Sequence, residues 1–250
     1  MALLEVKDLF VSFGGIMALG GVSLEIPEEK IVTIIGPNGS GKTTFFNCLT
    51  GIYRPDEGEI LYQGKSILRL SPDAIACQGV ARTFQNLRLF MNMNVLDNLL
   101  VGRHLHFRKN PFFPLFRIRN EELRHREIVE EIIDFLDLQA YRQSRVADCP
   151  YGVQKRVEMG RALSLKPKLL LLDEPISGLT SEEKEEAAYR INEIRGRFQM
   201  TILLVEHDLR VASRLADFMV AFYYGQKIAQ GSPEEVQRNP EVIRAYLGDE

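Results

Sequence analysis

Hydrophobic residues in this chain follow two patterns, which predict two kinds of β-strand. Short and almost unbroken apolar runs are typical of strands that are buried on both faces of a parallel sheet. These runs are Ile31–Ile35, 169–172, Thr201–Val205 and Phe218–Tyr223. Residues 22–26 instead alternate between apolar and polar side chains, which predicts a strand with one face toward water. Shorter strands are expected at 3–6 and 60–63.

A helical pattern fills the middle of the chain, and residues 94–166 are predicted to be mainly helical. The apolar stripe of one amphipathic helix consists of Ile128, Ile132, Phe135 and Leu136. Residues 103–120 differ from their surroundings because they contain two prolines and four phenylalanines among basic residues. We expect a structured loop or hairpin insert in that segment.

Two helix starts are marked by the spacing of a capping box. Thr180 lies three residues before Glu183, which predicts a helix over 180–197. Ser232 lies three residues before Glu235, and Pro233 stands at the first helical position, which proline favours. Strands that alternate with helices imply a largely parallel sheet, so the predicted fold class is α/β.

Composition narrows the function classes. The 250 residues carry a net charge of −3, with 45% hydrophobic and 26% charged residues, which excludes a disordered or fibrous chain and argues against a dedicated nucleic-acid binder. The three cysteines show neither a disulfide framework nor zinc-site spacing. No apolar run approaches the roughly 20 residues that span a bilayer, and the charged start does not resemble a signal peptide. We therefore expect a soluble, cytoplasmic chain.

A glycine-rich turn between the first buried strand and a predicted helix over Lys42–Leu49 fits the phosphate-binding pattern G-x-x-x-x-G-K-[ST]. The motif consists of Gly36, Pro37, Asn38, Gly39, Ser40, Gly41, Lys42 and Thr43. Its backbone N–H groups can surround phosphate oxygens, Lys42 adds a full charge, and the Thr43 hydroxyl can ligate Mg²⁺. The alternative, a chance match in a flexible turn, is disfavoured by the strand before it and the helix after it.

A pair of carboxylates follows the second buried run. Asp173 and Glu174 come directly after residues 169–172, at the strand end where open α/β sheets bind ligands. Asp173 can hold the Mg²⁺ shell, and Glu174 can act as general base toward an attacking water. An apolar run that ends in two acids is by itself usually a strand meeting a loop, and the phosphate motif is what favours catalysis.

With these motifs the sequence resembles the ATP-binding subunits of ABC transporters over nearly its whole length. The resemblance implies a P-loop NTPase core with an antiparallel β subdomain at 1–93 and 167–250, and an inserted helical subdomain at 94–166. It also implies that the chain is an ATPase with ATP and Mg²⁺ as cofactors. Thr44 joins the nucleotide-binding residues on the same ground.

Three further residues receive roles from the resemblance alone. Gln85, within 82–85, matches the glutamine that contacts metal and water and couples to the membrane subunits. His207 matches the switch histidine at the γ-phosphate, although a lone histidine after a strand is usually a surface residue. Phe13 matches the aromatic residue that stacks on adenine, although a phenylalanine near a strand end is often part of the core.

The subgroup indicated is the branched-chain amino acid importer ATPases. Its likeness rests on residues 47–51, 82–90, the insert at 103–120 and 242–248. Related importers of urea, other amides or other amino acids share much of this pattern, so they stay open as alternatives. The segment 86–100 is the expected contact with the membrane subunit, or else core. The phenylalanine-rich 107–116 is expected to pack locally rather than to dock a partner.

The family signature, Leu-Ser-Gly-Gly-Gln, is altered in this chain. Tyr151, Gly152 and Gln154 fit the signature region, but Pro150 replaces the serine and Val153 replaces the glutamine. Because each signature closes over ATP held by the other subunit, we expect a heterodimer with one impaired composite site. The alternative is that backbone contacts at Gly152 suffice and both sites work.

The resemblance further implies two membrane permease subunits, an external solute-binding protein that acts indirectly, no nucleic acid, and a peripheral position on the inner face of the cell membrane. Three other functions compete. A soluble ABC ATPase acting on DNA or ribosomes predicts a coiled coil, a tandem ATPase or a basic patch, and the sequence has none of these. A P-loop kinase or other NTPase leaves Gln85, Gly152 and His207 unexplained. A nucleotide-binding scaffold without catalysis is disfavoured because Lys42, Asp173, Glu174 and His207 are all present.

Overall fold

A computed structural model describes residues 2–106 and 115–247 of the chain, with only the backbone at 115–120 and 247. Its strands are β1 (Ala2–Phe13), β2 (Ile16–Pro27), β3 (Ile31–Ile35), β4 (Glu57–Tyr62), β5 (Lys65–Ser66), β6 (Val80–Arg82), β7 (Leu169–Asp173), β8 (Thr201–Val205), β9 (Phe218–Tyr223) and β10 (Gln226–Gly231). Its α-helices are α1 (Lys42–Leu49), α2 (Pro72–Cys77), α3 (Val95–Val101), α4 (Leu115–Phe135), α5 (Tyr151–Ser164), α6 (Ser181–Phe198), α7 (Leu209–Leu215), α8 (Pro233–Arg238) and α9 (Pro240–Leu247).

A six-stranded sheet forms the centre of the fold, in the order β10-β9-β3-β8-β7-β6. Neighbours from β9 to β6 are parallel, and β10 pairs antiparallel with β9 at one edge. Every residue of β3, β7 and β8 is buried, as expected for strands covered on both faces. The predicted α/β class and the four buried runs are therefore confirmed.

A second sheet is antiparallel, in the order β2-β1-β4-β5. In β2 the side chains of Val22, Leu24 and Ile26 are buried while Glu25 is exposed, which confirms the predicted one-sided strand. The buried face packs against Phe45 and other residues of α1, in one hydrophobic cluster that also includes residues of β3, β7 and β8. This packing holds the start of α1 close to the central sheet.

Helices α3, α4 and α5 pack against one another and occupy the part of the chain predicted to be helical. The predicted stripe is buried at Ile132, Phe135 and Leu136, the last of which lies one residue beyond α4, and Ile128 is partly buried against the same cluster. The insert was expected to be a loop or hairpin, and this is wrong at its end, because α4 already begins at Leu115. A single 3-10 turn covers His104–His106. Residues 107–114, with most of the phenylalanine-rich stretch, lie outside the described part.

Both predicted capping boxes are present. The Thr180 hydroxyl accepts from the Glu183 amide at 3.3 Å, and the Glu183 carboxylate accepts from the Thr180 amide at 2.9 Å. Ser232 and Glu235 form the same reciprocal pair at the start of α8. Within the described residues, no helix has both the length and the apolarity required to cross a bilayer.

Candidate nucleotide site

The phosphate-binding loop links β3 to α1, and its glycines are required by close packing. Gly36 and Gly41 have φ values of 151° and 99°. A Cβ at Gly36 would lie 2.3 Å from the carbonyl oxygen of Phe222, and one at Gly41 would lie 2.6 Å from that of Ala18. Any larger residue would therefore push the loop away from β9 and β2, so the sequence motif and the observed loop path agree.

Lys42 is buried, and its ammonium group is held by the loop itself. Its Nζ donates to the carbonyl oxygens of Gly36 and Pro37, both at 2.8 Å, and to the Ser40 hydroxyl at 3.3 Å. Burial lowers the pKa of Lys42, while the nearby charges of Glu174 and Asp173 oppose that shift. Because Nζ has only three protons to donate, an arriving phosphate must replace at least one of these loop contacts.

A cleft of about 380 Å³ opens above this loop. Its wall combines residues that were predicted from separate motifs. The lining residues are Ala18, Asn38, Gly39, Ser40, Gly41, Lys42, Thr43, Thr44, Gln85, Glu174 and His207. The loop thus converges with Glu174 directly after β7, Gln85 three residues after β6 and His207 two residues after β8, at the carboxyl edge of the parallel strands.

Glu174 is the centre of this convergence. Gln85 Nε2 donates to Glu174 Oε2 at 3.1 Å, and His207 Nε2 forms a short hydrogen bond with Glu174 Oε1. Glu174 is only 8% exposed and has a φ of 48°, a left-handed conformation that non-glycine residues rarely adopt. Residues in such conformations cluster at functional sites, where the surrounding structure holds them in place.

Asp173 lies behind the cleft wall, and the sequence analysis missed its partner. Arg82 Nη2 and Asp173 Oδ2 are 2.8 Å apart, with side chains only 5% and 4% exposed. The guanidinium also donates from Nη1 to Asn47 at 2.7 Å and lies against the rings of Phe46 and Phe84. Arg82 lies in the segment 82–90 that carries the family resemblance. No pattern in the neighbouring residues predicts that it forms a buried ion pair with a residue 91 positions later in the chain.

Phe13 is not brought into the cleft. Its side chain is 46% exposed, and its ring makes an edge contact with the ring of Tyr53, with centroids 5.1 Å apart. Phe13 is absent from the residues that line the cleft. The adenine-stacking role stays a prediction.

The altered signature lies apart from this chain's own cleft, at the start of α5. Pro150 precedes the helix and gives no side-chain cap, and Val153 is 4% exposed within the hydrophobic core. Gln154 Nε2 donates back to the Cys149 carbonyl oxygen at 2.9 Å. Gly152 faces α6, since a Cβ there would lie 2.3 Å from Glu183 Oε1. Gln154 thus supports its own loop, and Tyr151 stays 44% exposed.

A second residue that the sequence analysis left without a role is Glu206. It is 3% exposed, and its two carboxylate oxygens accept from the backbone amides of Ile176 and His207, both at 3.2 Å. Burial raises its pKa to about 7, and the charge of Glu174 adds to the shift while these amides oppose it. A glutamate beside a histidine gives no sequence signal for such burial.

Mg²⁺ prefers oxygen ligands and usually combines one or two protein side chains with substrate phosphates. Thr43, which carries a hydroxyl, and Gln85, which carries an amide oxygen, line the cleft and suit that chemistry. The Asp173 carboxylate is already paired with Arg82 through one oxygen, so its other oxygen is the one suited to the ion's shell. The donor set therefore fits the predicted ion.

Comparison with known proteins identifies the family. Residues 19–177 match the family described as ABC transporter, a range that includes the loop, Gln85 and the carboxylates after β7. The chain belongs to the ABC transporter family. As a member of this family the chain is an ATPase. Nucleotide binding is a property that the ATP-binding cassettes of the family share. Residues 226–250 match a second family, described as branched-chain amino acid ATP-binding cassette transporter.

Individual relatives agree with this ABC membership. The chain is 40% identical to the high-affinity branched-chain amino acid transport ATP-binding protein BraF of Pseudomonas aeruginosa, covering 99% of this chain and 98% of BraF. It is 39% identical to LivG of Escherichia coli strain K12, with the same coverage. The solved ADP conformation of MJ1267, an ATP-binding cassette of an ABC transporter, has a TM-score of 0.86 at 30% identity and covers 100% of both chains.

Proposed function

We propose that this chain binds and hydrolyses ATP to power an ABC importer of branched-chain amino acids. The observation that carries the catalytic part is the double engagement of Glu174 by Gln85 and His207 above the phosphate-binding loop. The solute class is supported by the names of BraF and LivG and by the match at residues 226–250. Importers of urea, other amides or other amino acids remain the second candidate.

In this proposal the loop binds the nucleotide phosphates. Loop amides and the amino end of α1 face the phosphate oxygens, and Lys42 exchanges a loop carbonyl for the β- and γ-phosphates. Thr43, Gln85 and Asp173 would hold Mg²⁺, which would neutralise the negative charge of the phosphates. Phe13 stacks on the adenine.

Hydrolysis then depends on Glu174 and its two partners. The Glu174 carboxylate accepts a proton from the attacking water, and Gln85 and His207 orient that carboxylate before the reaction. In this proposal His207, which lines the cleft, also contacts the γ-phosphate. Holding the base in one orientation removes an entropic cost that a mobile carboxylate would pay.

The proposed partners are a second ABC ATPase subunit and two membrane permease subunits, with a solute-binding protein acting indirectly. The chain would lie peripherally on the inner face of the cell membrane. Support comes from the segment 86–100, where Phe90, Met91 and Met93 are 50%, 40% and 41% exposed. Apolar side chains grouped on a surface mark interaction sites, which suits contact with a permease.

A direct test is solute-stimulated ATP hydrolysis by the chain assembled with its permease subunits. Glu174→Gln should abolish the stimulated activity, whereas Glu182→Gln, which changes an exposed glutamate in α6, should leave it intact. Leucine, isoleucine and valine should stimulate more than urea or amides do. Full activity of the isolated chain, unaffected by permeases, would instead favour a soluble ABC ATPase.

The altered signature supports the proposal of a heterodimer with unequal sites. A proline at 150 offers neither a hydroxyl nor an N–H to the partner's nucleotide, and loss of one comparable donor elsewhere costs about 2.7–4 kcal/mol of transition-state stabilisation. Pro150→Ser should therefore raise ATP turnover of the assembled transporter. Because Val153 is buried, Val153→Gln is added only as a second step. Unchanged turnover in both variants would mean that backbone contacts at Gly152 suffice.

A further inference from the structure

Glu206 joins two loops that carry the proposed catalytic groups. It follows β8 directly and precedes His207, and its Oε1 accepts from the amide of Ile176 while its Oε2 accepts from the amide of His207. Ile176 comes two residues after Glu174 and is itself 1% exposed. One buried carboxylate therefore connects the loop after β7 to the loop after β8.

The two loops need such a connection because the sheet ends before they begin. The last ladder pair is Asp173 with Val205, followed by one bond from the Glu174 amide to the Val205 carbonyl oxygen at 2.9 Å. Beyond that bond, Glu206 Oε1 accepts from the Ile176 amide on the other loop, and its Oε2 accepts from the His207 amide within its own loop, beside the hydrogen bond between His207 and Glu174. Glu174 has the left-handed φ of 48°, so its loop requires support from outside the ladder.

We propose that Glu206 is a positioning residue that fixes Glu174 and His207 in mutual contact by holding both of their loops. This inference rests on the proposed ATPase role of Glu174. Glu206 does not line the nucleotide cleft, so it acts through the two loops and not on the nucleotide. It should therefore govern the rate of hydrolysis and leave nucleotide affinity largely unchanged.

Glu206→Gln is the sharpest test because it keeps the size of the side chain. A carboxylate accepts at both oxygens, whereas an amide has one accepting oxygen and one donating nitrogen. In the variant the side-chain nitrogen therefore faces one of the two backbone N–H groups. Two donors meet there, and that hydrogen bond is lost. We expect kcat for ATP hydrolysis to fall by about 10- to 100-fold, with the ATP dissociation constant changed less than about twofold. A kcat within twofold of wild type, or an equal loss of affinity, overturns the proposal.

Amide hydrogen exchange in nucleotide-free protein tests the two hydrogen bonds of Glu206, here called the Glu206 clamp, without ATP turnover. Loss of a hydrogen bond to a carboxylate should make the Ile176 or His207 amide exchange about tenfold faster, while amides in α1 keep their rates. Unchanged exchange at both amides overturns the clamp. If wild type shows no hydrolysis that Glu174→Gln removes, the proposed function fails, and the exchange result alone then decides the clamp.

Two further variants keep the test interpretable. Asp217→Asn is the matched control, because Asp217 also accepts from a backbone amide, that of Ile31 at 2.8 Å, but at the opposite end of the sheet. It should leave kcat and the Ile176 and His207 exchange rates unchanged. If Glu206→Gln does not fold, Glu206→Asp serves instead, since the loss of one methylene withdraws the carboxylate from the Ile176 amide on the other loop. Wild-type exchange at both amides in Glu206→Asp would also overturn the proposal.

Discussion

The buried pair between Arg82 and Asp173 makes a strong prediction about stability. Arg82→Met removes the guanidinium and leaves the Asp173 carboxylate 4% exposed without its partner at 2.8 Å. Removal of one member of a buried pair typically costs about 3–5 kcal/mol. The charge of Lys42 interacts with Asp173 and compensates part of the loss, so we expect about 3 kcal/mol. That is a large share of the 5–15 kcal/mol that stabilises a typical protein.

Urea unfolding of a double-mutant cycle measures this quantity. Arg82→Met and Asp173→Asn should each destabilise, and the combined variant should be more stable than the sum of the two losses predicts, by about 2 kcal/mol. Arg195→Met is the control, because Arg195 pairs with Asp217 while 34% exposed, and such a pair contributes about 1 kcal/mol or less. Additive losses in the cycle would show that Arg82 and Asp173 are not coupled and would refute the reasoning.

Three other predictions follow from burial and close packing. The pKa of Glu206 is raised from 4.5 to about 7, so the unfolding free energy of wild type, relative to that of Glu206→Gln, should fall as pH rises from 4.5 past 7. Urea titrations should show a fall of up to about 3 kcal/mol, and a difference that stays constant with pH contradicts this. Gly36→Ala should abolish binding of a fluorescent ATP analogue, because its Cβ would lie 2.3 Å from a carbonyl oxygen. A maleimide should label the exposed Cys77 of the folded protein and should spare the buried Cys48 and Cys149. Burial raises the pKa of Cys48 to about 12, and labelling of all three cysteines would refute the burial of Cys48 and Cys149.

Local rules explain which parts of the fold the sequence could predict. Strand β3, the glycine loop and the capping box at Thr180 each depend on residues within a few positions of one another, so their patterns are visible in the chain. Strands β6 and β10 were not predicted as strands. β6 has three residues, and β10 is a half-exposed edge strand with no clear alternation, so pairing with neighbours and not local preference makes them strands.

The candidate site divides in the same way. Lys42, Asp173 and Glu174 stand in motifs with fixed spacing, whereas Gln85 and His207 needed a family resemblance. Arg82 and Glu206 could not be assigned at all, because a charged residue is normally exposed and only a distant partner makes its burial tolerable. That partner lies 91 positions away for the first residue and 30 for the second.

The charges at the carboxyl edge of the sheet indicate where phosphate affinity comes from. Lys42 and Arg82 supply two buried cations, and Asp173 and Glu174 supply two carboxylates, so these four groups sum to no net charge. Glu206, with a pKa of about 7, adds at most one negative charge. The net charge of these five groups therefore does not favour a polyanion. The attraction must come from loop amides, from the amino end of α1 and from the ion that accompanies the nucleotide. The loop path, which Gly36 and Gly41 permit because a Cβ at either position would clash with a carbonyl oxygen, therefore contributes to phosphate binding beside the charge on Lys42.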